Sequence, residues 1–409
     1  MRMRRLLFPV LLCVSAQASS LQLSSFQQGQ IRLVETSPVE TLLGTDTIPE
    51  THEVWGEMFK GAKKEIELAF FYVSNRPEEP GKGRLEALIV ELEKAAARGV
   101  QVRLLSDIKF YETYPATVDR LKAHEGIETR LYDIADRTGG VLHAKYFIVD
   151  GREAYLGSAN LDWRALQHIQ ELGVRISVPH VVRSLKSIFA MDWSLANPKG
   201  EVFSALEASG VYPVPATIGG REARVTPVFS PKSLLLADDL WDLPRLIEMI
   251  DSAETSVCVQ LLSYKTTDRE GRYFDDLETA LRSAAARGAS VRLLLADWGK
   301  SAYSIEGLQS LQALRNVEVK LATLPVAKEG FIPFARVIHS KYMVVDRKRS
   351  WIGTSNWSRD YFYSSRNVGL IVVSEGLGVE LGDYFERGWE SPYAELVDPS
   401  RRYEPPRVR

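Results

Sequence analysis

Two short stretches of this chain carry the same polar residues at the same spacing. His143, Lys145, Asp150, Gly157, Ser158 and Asn160 are answered by His339, Lys341, Asp346, Gly353, Thr354 and Asn356. Seven of the eighteen positions from His143 to Asn160 recur unchanged, and they fall mostly on side chains that a purely structural repeat has no need to keep. A single His-x-Lys pair would read as the exposed polar edge of a strand; two complete copies reverse that weight. Alternate side chains of a strand share a face, so His143 and Lys145 point together, as do Ser158 and Asn160 beyond the next turn. Each copy gathers an imidazole that can attack or move a proton, with an ammonium, a hydroxyl and an amide able to hold phosphate oxygens. Two such sets face to face place imidazoles on opposite sides of a phosphorus atom, one to attack and one to protonate the leaving oxygen.

The elements around these motifs repeat as well. Ala95 to Leu105 returns as Ala284 to Leu294, and Ile66 to Val73 as Val257 to Tyr264. Leu85, Leu88, Leu92 and Ala95 follow a helical period, Gly99 and Gly288 are suited to end helices, and the Val/Leu runs after them read as buried strands. The offset is 189 for the helices and 196 for the histidines, so the second half carries an insertion between them. The pattern predicts an α/β protein of two similar lobes, 19–196 and 225–409, related by a pseudo-two-fold axis with one site between them. Residues 197–224, rich in Pro and Gly, read as a linker, and Pro77 to Arg84 as a solvated loop.

The chain has 409 residues, 45% hydrophobic and 25% charged, ordinary values for a globular protein. Arg2, Arg4 and Arg5, the apolar run Leu6–Val14 and Ala16-Gln17-Ala18 form a secretory leader pattern, with cleavage expected after Ala18 and an exported, periplasmic or secreted product. Removal of three arginines leaves 48 basic against 53 acidic residues, a formal charge of −5. Such a charge argues against a general nucleic-acid coat but not against a local basic pocket. Cys258 would then be the sole cysteine, so no intramolecular disulfide is expected. No cluster of Asp, Glu and His has metal-ligand spacing, and two lysines stand where a metal would neutralise charge. No metal and no cofactor is therefore expected.

The twin pattern resembles the HKD motif of the phospholipase D superfamily. The resemblance runs from about Ile31 to Leu396 and is most marked toward the lysosomal phospholipase D branch, members three and four of the mammalian set. It is carried by Gly140-Val141-Leu142-His143, by Tyr155 through Asn160 to Asp162-Trp163-Arg164, by Glu171-Leu172-Gly173-Val174 and by Ile352-Gly353-Thr354-Ser355-Asn356-Trp357-Ser358. It implies a metal-independent phosphohistidine mechanism. Within that branch it implies 5′ exonuclease action on single-stranded DNA and RNA, and also lipid phosphodiester transfer.

The resemblance also suggests roles. His143 is expected to attack, because Glu171 lies in its half where the superfamily places a carboxylate that orients the imidazole; Asn367 is the equivalent residue of the second half, beside His339. Lys145, Lys341, Asn160 and Asn356 are expected to hold the nonbridging oxygens, with Arg336 as a further cation. Asp150 and Asp346 face away from the histidines by parity and read as supports. Asp346 departs from the lysosomal branch, which tends to carry Glu there. His52, His124, His168 and His180 lack a repeat partner and read as surface or structural. The aromatics Phe70, Phe71, Tyr72, Tyr264, Trp298, Phe331, Phe334 and Tyr361 to Tyr363 cluster near the expected mouth; most read as core and strand packing, with one or two left to stack on bases. The expected substrate is single-stranded nucleic acid; the alternative is a glycerophospholipid, which would want an apolar mouth. A non-catalytic phosphate binder would have no need of a nucleophile in each half.

Overall fold

The computed structural model describes residues 26–76, 82–197, 211–268 and 271–409. The leader 1–18, part of the loop (77–81) and part of the expected linker (198–210) lie outside them. Each half forms a sheet of mixed direction. In the first, seven strands stand in the order Ile31–Thr36, Glu171–Ile176, Glu153–Gly157, Lys145–Val149, Glu65–Phe70, Gln101–Asp107, Ile127–Tyr132. In the second, the same order recurs as Arg221–Ser230, Asn367–Val373, Arg349–Gly353, Tyr342–Val345, Ser256–Leu261, Ser290–Ala296, Val317–Ala322. Val214–Ile218 and Ala394–Leu396 extend the two edges of this second sheet.

The shared order follows from the repeated βαβ units. Helices Arg84–Ala97 and Asp276–Ala286 bury Leu85, Leu88, Leu92 and Ala95, and Leu277, Leu281 and Ala284, against their sheets. Each chain then turns through Gly99 (φ +89°) or Gly288 (φ +103°), a left-handed conformation that glycine adopts without a Cβ penalty. The strands that follow pair in parallel with the ones before the helices. Apolar clusters fill both outer faces, and a third, continuous cluster joins the two sheets and includes the long helices Pro179–Leu195 and Glu375–Trp389.

The linker expected over 197–224 is not one throughout. Val214–Ile218 and Arg221–Ser230 form a hairpin that turns at Gly219-Gly220 and adds to the second sheet. Alternating buried Val214, Ala216, Ile218, Ala223 and Val225 drive this, a period-two signal that the prolines and glycines mask in sequence. The insertion of the second half lies between Ala322 and His339 and straps across the first lobe. Its Glu329 meets His168 at 3.0 Å and Arg76 at 2.8 Å, and Arg336 donates to Val39 O at 2.7 Å.

Candidate active site

The two motif histidines precede equivalent strands at the seam of the lobes, and both line one cavity of about 700 Å³. Backbone pairing across the seam sets what each ring meets. Leu142 bridges Arg366, and Gln170 bridges Ile338. Arg366 N donates to Val141 O at 3.0 Å, and His339 N to Gln170 O at 2.8 Å. Each histidine is therefore delivered beside the residue that opens a strand of the other lobe.

This arrangement overturns one expectation. Glu171 does not orient His143; its carboxylate accepts from His339 Nδ1 at 2.8 Å. His143 Nδ1 meets Asn367 Oδ1 at 3.0 Å instead. Spacing along one half could not reveal this, because each partner crosses the seam. The amide of Asn367 is fixed by its own bonds: Nδ2 donates to Tyr361 O (2.8 Å) and Ser365 O (3.2 Å), and Thr354 Oγ1 donates to Oδ1 (2.9 Å). His143 must then carry its proton on Nδ1, which leaves the Nε2 lone pair free. The hydroxyls of Ser158 and Thr354, able in principle to bind phosphate but expected as supporting residues, are turned to the protein. Ser158 bonds Leu172 and Glu171, and Thr354 bonds Asn367, so both brace the residues that hold the rings.

Lys145 and Lys341 are fully buried, and each donates to the carbonyl of its own motif histidine, at 2.6 Å for Lys145. Asn160 and Asn356 line the cavity. Asn356 is tied to Ser263 N and Tyr361 Oη, whereas Asn160 Oδ1 is buried with no partner in the protein. An orphaned buried acceptor of this kind is costly unless a ligand or water satisfies it. Asp150 accepts from the backbone N–H groups of Lys63, Lys64 and Glu65, and Asp346 from those of Glu254, Thr255 and Ser256. These carboxylates lie outside the cavity lining and anchor the turn before each lobe's central strand. The motif glycines have a packing reason: a Cβ on Gly157 would sit 2.5 Å from Gly173 Cα, and one on Gly353 2.7 Å from the Trp351 ring.

The electrostatics are those of a crowded cationic site. Burial, then Lys145 and Lys341, push the His143 imidazolium well below its usual range. Burial, then Lys341 and Lys145, do the same to His339. Burial lowers the Lys341 ammonium to about 7 and raises the Glu171 carboxyl to about 7. Protons leave such a site when it is empty and return when an anion enters, since opposite charge favours the protonated imidazole and ammonium. Among the described residues, no group of three His, Cys, Asp or Glu is placed to hold a metal ion.

The cavity walls hold residues that sequence reasoning missed. Phe71, Tyr72, Trp298, Phe334 and Tyr361, all among the aromatics named from the sequence, line it, and Phe110 and Tyr114, which were not, join them. Phe71, Phe110, Tyr72 and Tyr114 form a continuous ladder, with successive centroids 4.0, 5.7 and 5.6 Å apart. Lys109, Arg164 and Arg409 add charge. A signal for Lys109 and Phe110 existed: they follow the carboxyl end of a parallel strand, where α/β sheets place ligands. Arg336 is a correction, for it is spent on Pro325 O and Val39 O and does not line the cavity.

Comparison with known proteins agrees with this architecture. The sequence matches the family described as "Cardiolipin synthase, PLD-like domain" over residues 56–193 and 246–389. It is 32% identical over 397 residues to the 5′-3′ exonuclease PLD3 of Rattus norvegicus, covering 90% of this chain and 80% of that protein. It is 31% identical to the 5′-3′ exonuclease PLD4 of Mus musculus, covering 90% and 80%. Phospholipase D Z of Dictyostelium discoideum is 30% identical, with 90% of each chain covered. The crystal structure of phosphatidylserine synthase from Haemophilus influenzae Rd KW20 shares the fold, with a TM-score of 0.62 at 12% identity, covering 90% of this chain and 88% of that one.

Proposed function

The chain belongs to the phospholipase D superfamily and is a phosphodiesterase of that class, and on that premise we propose that it removes nucleotides stepwise from the 5′ end of single-stranded DNA or RNA through a phosphohistidine on His339. One observation carries this reading: both imidazoles face one cavity whose walls are aromatic and cationic. Stacking surface with local positive charge suits unpaired bases joined by phosphates. A site sunk between lobes does not admit a rigid duplex. The PLD3 and PLD4 relatives are 5′-3′ exonucleases by name, which supports the polarity.

The placement of Glu171 reverses the order of attack expected from sequence. His339 Nε2 attacks phosphorus, the bond to the leaving oxygen breaks, and His143 gives that oxygen its proton. The phosphorylated imidazole is a buried cation for the life of the intermediate, and Glu171, 2.8 Å from its Nδ1, neutralises it. His143, now neutral, needs only the amide of Asn367. It takes a proton from water, the oxygen attacks phosphorus, and His339 leaves. Lys145, Lys341, Asn160 and Asn356 hold the nonbridging oxygens, and the lysines supply the charge that a metal would supply elsewhere. Asp150, Asp346, Ser158 and Thr354 support this set.

The test is an end-labelled single-stranded oligonucleotide followed over time in excess EDTA. Mononucleotides should appear in sequence from a free 5′ end, and a blocked 5′ end or a duplex should resist. Random internal fragments would make the enzyme an endonuclease, and loss of activity restored by magnesium would overturn the metal-independent mechanism. A second reading, hydrolysis or transfer on glycerophospholipids, draws on the similarity to phospholipase D Z and on apolar wall residues Ile169, Leu262 and Val337. Turnover of phosphatidylcholine or phosphatidylglycerol without oligonucleotide cleavage would select it. The protein acts outside the cytoplasm on this reading, with a mature N-terminus at Ser19 that mass spectrometry of the native protein checks. No helix among the described residues is long and apolar enough to cross a membrane.

A further inference from the structure

The two lobes repeat their catalytic motifs but not their walls. In the repeat, Phe71 and Tyr72 correspond to Leu262 and Ser263, Lys109 to Trp298, and Asp162 and Arg164 to Ser358 and Asp360. The first lobe's wall thus carries Lys109 and Arg164, while the equivalent positions of the second lobe carry Trp298 and Asp360; the second lobe's lining cation, Arg409, comes instead from the far end of the chain. Arg164 is also set differently from an ordinary surface arginine. Its Nε is 3.0 Å from Asp162 Oδ2, and Asp162 is fully buried and accepts from Tyr72 Oη at 3.0 Å. The guanidinium lies over Tyr114, 5.5 Å from the ring centroid, and Nη1 reaches Pro333 O of the strap at 3.4 Å. The next strap residue, Phe334, carries the guanidinium of Arg409 at 5.6 Å from its ring. Arg164 and Arg409 therefore flank one point of the cavity rim, with Lys109 on the ladder side.

We propose that Arg164 binds the internucleotide phosphate next to the scissile one, so that the polynucleotide leaves the site over the first lobe. This rests on the nuclease reading given above. A planar guanidinium held by a buried carboxylate keeps its orientation without spending side-chain entropy on binding, and it is suited to grip two phosphate oxygens. The ladder of Phe110, Tyr72 and Tyr114 lies on the same wall and gives the second base a stacking surface. The wall of Trp298 and Leu262, with no cation at the positions equivalent to Lys109 and Arg164, is left for the terminal nucleoside, which has no second phosphate. Asp162 and Tyr72 are positioning residues in this arrangement.

The experiment compares two thymidine trinucleotides, one natural and one whose non-scissile linkage is a neutral methylphosphonate, on wild-type enzyme and on Arg164→Gln and Arg164→Lys. Wild type should prefer the charged linkage by about tenfold or more in kcat/KM, the scale of one charge-assisted hydrogen bond. R164Q should lose that preference, and R164K should keep part of it. The coupling, read as a double-mutant cycle, separates phosphate binding from a structural role. Should R164Q fail to fold, R164K carries the cycle, and equal wild-type rates would still overturn the proposal, because that comparison alters the substrate alone. Equal rates on both trinucleotides, or a preference that survives R164Q, would overturn the proposal while leaving the nuclease intact. Cleavage of neither trinucleotide alongside phospholipid turnover would remove both readings.

Discussion

The two half-sites share strand order, motif spacing and the bond from lysine to histidine carbonyl, yet they differ in the one group behind each ring. His339 stands on a carboxylate and His143 on an amide. Both partners come from the opposite lobe, through backbone bridges that are themselves equivalent, Gln170 to Ile338 and Leu142 to Arg366. Duplication supplied a symmetric frame, and on the proposed mechanism a single difference of charge, Glu171 against Asn367, divides the labour within it. The ring backed by a carboxylate can remain cationic while buried; the ring backed by an amide is better placed to pass a proton and return to neutrality. The walls differ as well: Lys109 and Arg164 line the cavity from the first lobe, and their equivalents in the second are Trp298 and Asp360.

The largest effects should come from removing the rings. His339→Ala and His143→Ala are each expected to lower turnover by about 10⁴-fold or more, as loss of a nucleophile or its proton partner does. The comparison breaks on the adduct: peptide mapping after an alkaline denaturing quench should find phosphohistidine at 339, absent in H339A and retained in H143A with an activated leaving group. An adduct at 143 would restore the opposite order of attack. Next in size, Glu171→Gln should cost about 10²-fold or more, because the buried cationic intermediate loses its counter-charge. Asn367→Ala should cost less, about tenfold, since it removes orientation but no charge. Asn367→Asp sharpens the contrast, for it gives both rings a carboxylate; adduct should then appear on His143 as well.

Smaller effects concern stability. Burial raises the Glu171 carboxyl from its ordinary 4.5 to about 7. A raised acid contributes stability that is whole below pH 4.5 and lost as pH climbs through about 7. Wild type and E171Q should therefore melt alike at pH 4, and wild type should fall below the variant by pH 8. A wild-type Tm that rises relative to E171Q across this window would refute the burial argument. Last, Asp150→Asn and Asp346→Asn should each cost about 0.5–1.5 kcal/mol of stability, the scale of a hydrogen bond lost at a partly exposed turn. Asp346→Asn should cost more. Burial alone would raise the Asp346 carboxyl, yet hydrogen bonds from Glu254, Ser256 and Thr255 hold it below its usual range. Denaturant melts of the two variants measure the difference.

Much of the frame was legible beforehand, for reasons particular residues show. Helical spacing from Leu85 to Ala95 and the glycines at 99 and 288 are local signals, each set by the conformation of a few neighbouring residues. The doubled pattern at His143 and His339 marked the site because polar matches at identical spacing have no packing explanation. The hairpin over Val214 to Ser230 was missed because its turn residues outweighed a short alternating pattern. Arg336 was misjudged because a cation's partners, here two carbonyls, leave no trace in spacing.

The sequence by itself determined the family, the two-lobed α/β frame and the candidate residues of the site, since these rest on short-range periodicity and on a repeat read along one chain. Only the tertiary structure decided which ring each of Glu171 and Asn367 serves, which aromatics reach the cavity, and that Arg164 lines it. Those facts depend on how two lobes meet at a seam, where residues 168 to 224 positions apart come within 3 Å. Linear spacing within either half carries no information about contacts made across it.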